Sequence, residues 1–116
     1  MDERRHHQRF AFEAEALLTN GNSRWATRVL DLSLRGVLIQ RPADWTGHVG
    51  TGQTLRVDLT GPRHIDMQVN VVHLSADHLG LHCDRIDMDS FSHLKLVALA
   101  NLGSEEALNR ELAALA

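Results

Sequence analysis

Leu55–Val71 reads LRVDLTGPRHIDMQVNV, and its periodicity indicates the class of fold. Apolar residues alternate with charged residues from Leu55 to Leu59, and a second alternation with polar residues runs from Ile65 to Val71. A period of two residues is typical of a β-strand with one buried face. Gly61-Pro62 lies between the two runs and supplies residues that favour a turn. The segment therefore predicts two amphipathic strands joined by a short connection.

Similar strand patterns occur on both sides of this segment. Asn20-Gly21-Asn22 predicts the turn of a hairpin, because these residues accept positive φ angles. A loop from Arg41 to Gln53 holds a proline and three glycines and is the longest irregular connection. The four other predicted strands are Phe10–Leu18, Ser23–Asp31, about Arg35–Gln40 and Leu79–Cys83. Short strands joined by short turns, without intervening helices, favour an antiparallel barrel or sandwich.

The periodicity changes after Asp87. Apolar residues then recur at steps of three and four, which predicts a helix that either Asp89 or Ser90 caps at its amino end. Gly103 is well placed to end this helix, and Ser104 to cap a second one. The apolar positions are Phe91, Leu94, Ala98 and Leu102 in the first helix and Leu108, Leu112 and Leu115 in the second. We expect these helices to follow an all-β core.

Composition limits the class of protein. The chain has 116 residues, of which 43% are hydrophobic, and this is enough for one domain with one core. A net charge of −3 argues against a partner such as duplex DNA or an RNA polymer. A lone Cys83 and a charged amino terminus predict a cytoplasmic location. The apolar run from Leu94 to Leu102 is too short to cross a bilayer, so we expect no membrane insertion.

Two short motifs carry the chemistry. Arg4-Arg5-His6-His7-Gln8-Arg9 concentrates guanidinium groups, which form planar forks that match phosphate oxygens or the O6 and N7 acceptors of guanine. In Asp31-Leu32-Ser33-Leu34-Arg35-Gly36, the carboxylate is able to accept from the N1 and N2 donors of guanine. Each motif also has a plain structural explanation, because charged termini are common and Asp, Ser and Gly all suit turns. The two together are more specific, and they predict a site for a phosphorylated guanine ligand.

With both motifs in place, the sequence resembles the PilZ family, whose members bind the bacterial second messenger cyclic di-GMP through RxxxR followed by D/NxSxxG. Arg5 and Arg9 match the first motif, and Asp31, Ser33 and Gly36 match the second. The resemblance covers nearly the whole chain. It implies a six-stranded antiparallel β-barrel followed by two carboxy-terminal helices. The expected division is a flexible arm at residues 1–9, the barrel at 10–86 and the helices, packed on the barrel, at 87–116.

The resemblance also implies roles for individual residues. Arg5 and Arg9 would hold phosphates and guanine edges, while the second motif would hold a guanine on the barrel. Arg4 precedes RxxxR, a feature that accompanies binding of two intercalated ligand molecules in the family. Secondary candidates are His6, Arg35 and His73. His6 stands where some members have another arginine, and His73 stands where some have a tryptophan. His73 shares strand parity with Val69 and Val71, so either stacking on a base or facing the barrel interior is open.

Other functions are less favoured by the sequence. The histidines lack the spacings that are typical of metal sites, and the motifs supply arginines where hydrolysis needs a metal cluster or a base. We therefore expect a receptor without catalytic residues, metal or cofactor, which is a monomer and signals to an unidentified protein partner. Ordering of the arm by the ligand would be the switch. The alternative is a PilZ-fold adaptor that does not bind nucleotide.

Overall fold

The computed structural model describes residues 7–115 and contains a barrel followed by two helices. The six strands are β1 (Phe10–Asn20), β2 (Ser23–Leu32), β3 (Gly36–Gln40), β4 (Gly52–Asp58), β5 (His64–Leu74) and β6 (His78–Ile86). The helices are α1 (Met88–Leu102) and α2 (Glu105–Ala113). The predicted six-stranded antiparallel barrel with two carboxy-terminal helices is thus confirmed.

The strands close into a barrel in the order β1-β2-β3-β6-β5-β4, with β4 pairing back to β1. All neighbouring pairs are antiparallel. The predicted turns lie between strands, and both Gly21 and Gly61 adopt the positive φ that these turns need. Closure leaves the sheet without a free edge along most of its length, because each strand has a neighbour on both sides.

The interior of the barrel is filled by the alternating apolar side chains of the strands. Val57, Ile65 and Val71 have no exposed surface, and Met67 and Val69 are 2% exposed. The period-two pattern of the sequence therefore corresponds to the inward face of β4 and β5. The large loop after β3 contributes Trp45, whose Nε1 donates to the buried Gln53 Oε1 at 3.0 Å. This contact satisfies the indole where the loop packs on the core.

Helix α1 packs on the barrel through Leu94 and Ala98, which are buried as predicted. Its amino-terminal cap is Asp87, so the expectation of Asp89 or Ser90 is wrong. The Asp87 carboxylate accepts from Ser90 N at 2.7 Å, while the Ser90 hydroxyl accepts from Asp66 N of β5 at 2.9 Å. Ser90 therefore lies within the first turn of α1, where its buried side chain connects the helix to β5. It is not the capping residue.

The boundary between the helices agrees with the sequence prediction. Gly103 ends α1 with φ 88°, and the Ser104 side chain accepts from Ala107 N to start α2. Helix α2 packs on α1, yet none of its residues is fully buried. Between residues 7 and 115, no helix has both the length and the apolar character that a membrane span requires.

Candidate ligand-binding site

Asp31 lies on the outside of the barrel near the end of β2. The pairing of β2 with β3 shifts register between Val29 and Asp31, and such a bulge changes which face a residue occupies. Val29 and Leu32 point into the core with no exposed surface, whereas the Asp31 side chain is 24% exposed. The bulge therefore places one carboxylate on an otherwise apolar stretch of wall.

Ser33 and Gly36 shape the turn that follows. The Ser33 hydroxyl accepts from Gly36 N at 3.0 Å and from Arg35 N at 3.3 Å, so its lone pairs are used inside the turn. A side chain at Gly36 would place its Cβ 2.9 Å from the Leu81 carbonyl oxygen of β6, closer than such atoms pack. The structure thus brings Asp31, Ser33 and Gly36 together, with Asp31 presenting its side chain and the other two fixing the backbone.

Arg9 lies beside Asp31 in the segment that leads into β1. Its Nη1 is 3.7 Å from Asp31 Oδ1, and its side chain is 56% exposed. This separation is an ion pair but too long for a good hydrogen bond. Asp31 Oδ1 is buried and accepts no hydrogen bond from residues 7–115. A buried carboxylate oxygen without a hydrogen bond is costly, so Asp31 is a candidate acceptor for a ligand donor.

The outward-facing positions next to Asp31 form a row across three further strands. Asp31 pairs with Leu38 of β3, Leu38 with Gly80 of β6, and Gly80 with His73 of β5. We call these four residues the outer row. Neighbouring strands are about 4.8 Å apart, so the row spans about 14 Å along the barrel surface. Its middle is low and apolar, because Gly80 has no side chain and Leu38 is half-buried.

His73 faces outward, so the orientation toward the barrel interior is wrong. The β5–β6 pairing shifts register between Val71 and His73, which breaks the parity that the sequence indicates. His73 is exposed, and a Cβ added to Gly80 would lie 2.9 Å from His73 Cβ on the outer face. His73 therefore ends the outer row at the side opposite Asp31.

The segment before Arg9 is held by helix α2. His7 Nδ1 lies 3.0 Å from Glu111 Oε1, and the Gln8 backbone N–H donates to the same oxygen at 2.9 Å. The His7 side chain is only 4% exposed. Arg35, in the β2–β3 turn, donates from Nη2 to the Leu115 carbonyl at 3.1 Å. Both motifs therefore contact the carboxy-terminal helical region.

A second carboxylate lies on the outer face of β6. Asp84 accepts from Asn70 Nδ2 at 2.7 and 2.9 Å, and His82 Nδ1 lies 3.2 Å from it. The hydrogen bond from Asn70, followed by that from His82, holds the pKa of Asp84 below its ordinary value. Asp84 and Asp31 both place negative charge on the outer surface of the barrel. A phosphate ligand there depends on arginines for attraction.

The remaining candidate residues are Arg4, Arg5 and His6, which lie outside the described residues. Within residues 7–115, no group of three or more metal-ligating side chains is close enough to hold an ion. Leu38, Gly80 and Glu111 could not be recognised as neighbours of the motifs from the sequence. Leu38 and Gly80 carry no chemical signal of their own, and Glu111 lies 104 positions from His7 in the chain.

A groove of about 590 Å³ lies elsewhere, between β1, the β4–β5 turn and α1. Its lining includes Phe12, Leu59, Leu96 and Val97, and it contains none of the motif residues. The same groove is lined by three carboxylates against one arginine, which does not suit a phosphorylated ligand, so we assign the candidate site to the outer row.

Several solved structures share this fold. The Bacillus subtilis inhibitor of motility (MotI/DgrA) superposes with a TM-score of 0.70 at 15% identity, over 85% of this chain and 51% of that protein. The chain thus spans about half the length of that relative. The PilZ domain of CeSA from a cellulose-synthesizing bacterium gives 0.64 at 13% identity, over 83% and 96% of the two chains. An uncharacterised Legionella protein gives 0.56 at 15% identity, over 81% and 92%.

The family itself is identified from sequence. The model of the PilZ domain matches residues 3–99, a range that includes both motifs and the whole barrel. The closed six-stranded barrel agrees with this match, as do the structural neighbours. The chain therefore belongs to the PilZ domain family.

Proposed function

We propose that the chain is a receptor for cyclic di-GMP, which binds on the outer row and signals to a protein partner. PilZ domains are generally binding or adaptor modules for this messenger rather than enzymes. The proposal gives each part of the ligand a partner. Arginines of the amino-terminal motif neutralise the phosphates, and Asp31 accepts from the N1 and N2 donors of a guanine.

The observation that carries the proposal is Asp31 Oδ1, which accepts no hydrogen bond within the described part of the chain and lies next to Arg9. A guanine edge supplies two adjacent N–H donors, the geometry that a carboxylate accepts best. Each such charge-assisted bond contributes about 1.5 to 3 kcal/mol. The 3.7 Å separation leaves Arg9 without a close hydrogen bond to Asp31, so its fork is available for a phosphate.

The outer row is suited to a guanine base that lies flat on the outer surface of the barrel. Leu38 offers an apolar contact next to Asp31, and the exposed ring of His73 stands at the other end of the row, where it stacks on a guanine. Ser33 and Gly36 act indirectly, because they fix the turn that presents Asp31 and Arg35.

We further propose that Arg4, Arg5 and Arg9 together bind an intercalated pair of ligand molecules, with His6 as a neighbouring contact. Binding orders the arm of residues 1–9 beyond the contacts that His7 and Gln8 already make with Glu111, and the barrel with its helices then presents a changed surface to the partner. The proposal places the chain in the cytoplasm as a monomer, where the messenger is available.

Isothermal titration with cyclic di-GMP tests this proposal. We expect two ligand molecules per chain, and loss of affinity of about tenfold or more in Arg9→Ala and in Asp31→Ala, since each change removes at least one charge-assisted bond. Arg24→Ala is the matched control, because Arg24 is an exposed arginine at the opposite end of β2. GMP, which lacks the second nucleotide, serves as the ligand control.

The possible results separate the alternatives. Absence of heat with the wild-type chain overturns the receptor and leaves the nucleotide-independent adaptor. One molecule per chain contradicts the intercalated pair but not the site. Equal weakening by Arg24→Ala would mean that overall charge, rather than the outer row, determines binding.

A further inference from the structure

Helix α2 is tied to both motifs by polar contacts. None of its residues is fully buried, and it packs on α1 rather than on the barrel wall. Glu111 accepts hydrogen bonds from His7 and Gln8 of the amino-terminal segment. The Leu115 carbonyl, just after the helix, accepts one from Arg35 of the β2–β3 turn. These contacts join residues that are 80 to 104 positions apart in sequence.

Glu111 makes the most specific of these contacts. One oxygen, Oε1, accepts from two consecutive residues, at 3.0 Å from His7 Nδ1 and 2.9 Å from Gln8 N. The Glu111 side chain is 17% exposed, so water competes weakly for it. Two bonds from adjacent residues to one acceptor fix the path of the backbone that enters Arg9. Arg9 in turn lies 3.7 Å from Asp31.

We infer that Glu111 is a positioning residue for ligand recognition, which holds His7 and Gln8 so that Arg9 faces Asp31. The inference rests on the proposed function. Glu111 does not touch the ligand. It orders the segment in advance, and a preordered segment binds more tightly because less conformational freedom is lost on binding.

A consequence is that the ligand site and α2 are coupled in both directions. If α2 favours the binding position of the segment, ligand on that segment must favour the docked position of α2 to the same extent. Ligand binding therefore changes the exposure of a helix on the outside of the molecule. This is a route by which a partner could detect the bound state.

The test compares Glu111→Ala, Glu111→Gln and Glu106→Ala in the full chain. We expect Glu111→Ala to weaken cyclic di-GMP binding about fivefold or more, since the segment must then be ordered by the ligand. Glu111→Gln keeps an oxygen for Gln8 N–H and should restore part of the affinity. Glu106→Ala removes the same charge from an exposed position of the same helix and should bind as the wild type does.

A second measurement needs no ligand. Amide exchange of the free protein should be faster at Gln8 in Glu111→Ala than in the wild type, and unchanged in Glu106→Ala. Wild-type affinity in Glu111→Ala, or unchanged exchange at Gln8, overturns the role of Glu111 and leaves the receptor intact. Failure of the wild type to bind cyclic di-GMP overturns the receptor and this inference together. Equal loss of affinity in Glu106→Ala also overturns the inference, since the cause is then a general weakening of α2.

Discussion

Gly36 lies where β3 passes closest to β6. A Cβ at this position would meet the Leu81 carbonyl oxygen at 2.9 Å, and backbone has little room to give way. We expect Gly36→Ala to lower the free energy of unfolding by about 1 to 3 kcal/mol, the usual cost of overpacking. Urea denaturation followed by tryptophan fluorescence measures this change, because Trp45 is buried in the folded chain.

Gly52→Ala is the matched control for this substitution. Gly52 also begins a strand and has no atom within 4 Å of an added Cβ. An alanine there should be neutral or should stabilise by up to about 1 kcal/mol, because it restricts the unfolded chain. Equal stability of the two variants would show that the close approach of β3 to β6 does not constrain position 36.

At the residue scale, the sequence could predict that Asp31, Ser33 and Gly36 come together, because their spacing fits one turn. It could not assign their roles, since a serine and a glycine suit turn geometry whether or not a ligand is present. The face of His73 could not be predicted either. A bulge between Val71 and His73 adds one residue to the strand, and nothing in the local sequence marks it.

Among the elements, α1 has a cap whose strength depends on pH. The Ser90 backbone N–H, the largest contribution, holds the pKa of Asp87 below its ordinary value of 3.8. A lowered pKa in the folded state means that ionised Asp87 stabilises the fold. This contribution is complete above the ordinary pKa and is lost as the pH falls through the folded value.

We therefore expect Asp87→Ala to lower the melting temperature at pH 7, with the difference from wild type shrinking below about pH 4. Asp87→Asn is the control, because an asparagine oxygen still accepts from Ser90 N but carries no titrating charge. Thermal unfolding by circular dichroism across this pH range measures both. A difference between wild type and Asp87→Ala that stays constant to about pH 2 would contradict the capping role of the ionised carboxylate.

The sequence predicted the elements well, because each strand of the barrel buries one face and each helix has an apolar stripe. The ends of two elements differ from the predicted ends. β5 continues to Leu74, three residues beyond its clear alternation, and α1 begins with Asp87 as its cap rather than Asp89. Both differences arise where a tertiary contact, such as that of Ser90 with Asp66, outweighs the local pattern.

For the whole molecule, the contacts that assemble the site are those between the two ends of the chain. His7 and Glu111 are 104 positions apart, and they meet because the barrel is closed and the helices pack behind it. No local pattern in either segment indicates this contact, because each residue is polar and lies in a polar stretch. The sequence therefore predicted both motifs and helix α2, but not the contact between His7 and Glu111.

The distribution of burial predicts an order of stability across the molecule. The barrel contains many side chains with no exposed surface, such as Val57 and Ile65, and α1 adds Leu94 and Ala98 to this core. Helix α2 contributes no buried side chain to this core. It should therefore unfold locally while the barrel stays folded. We expect backbone amides of Leu108–Glu111 to exchange faster than those of β5 and of the second half of α1, as measured by hydrogen exchange and NMR.

If α2 amides exchanged together with the barrel, local opening would be excluded. Coupling between the helix and the ligand site would then require unfolding of the whole molecule, which is too costly to serve as a response to a messenger.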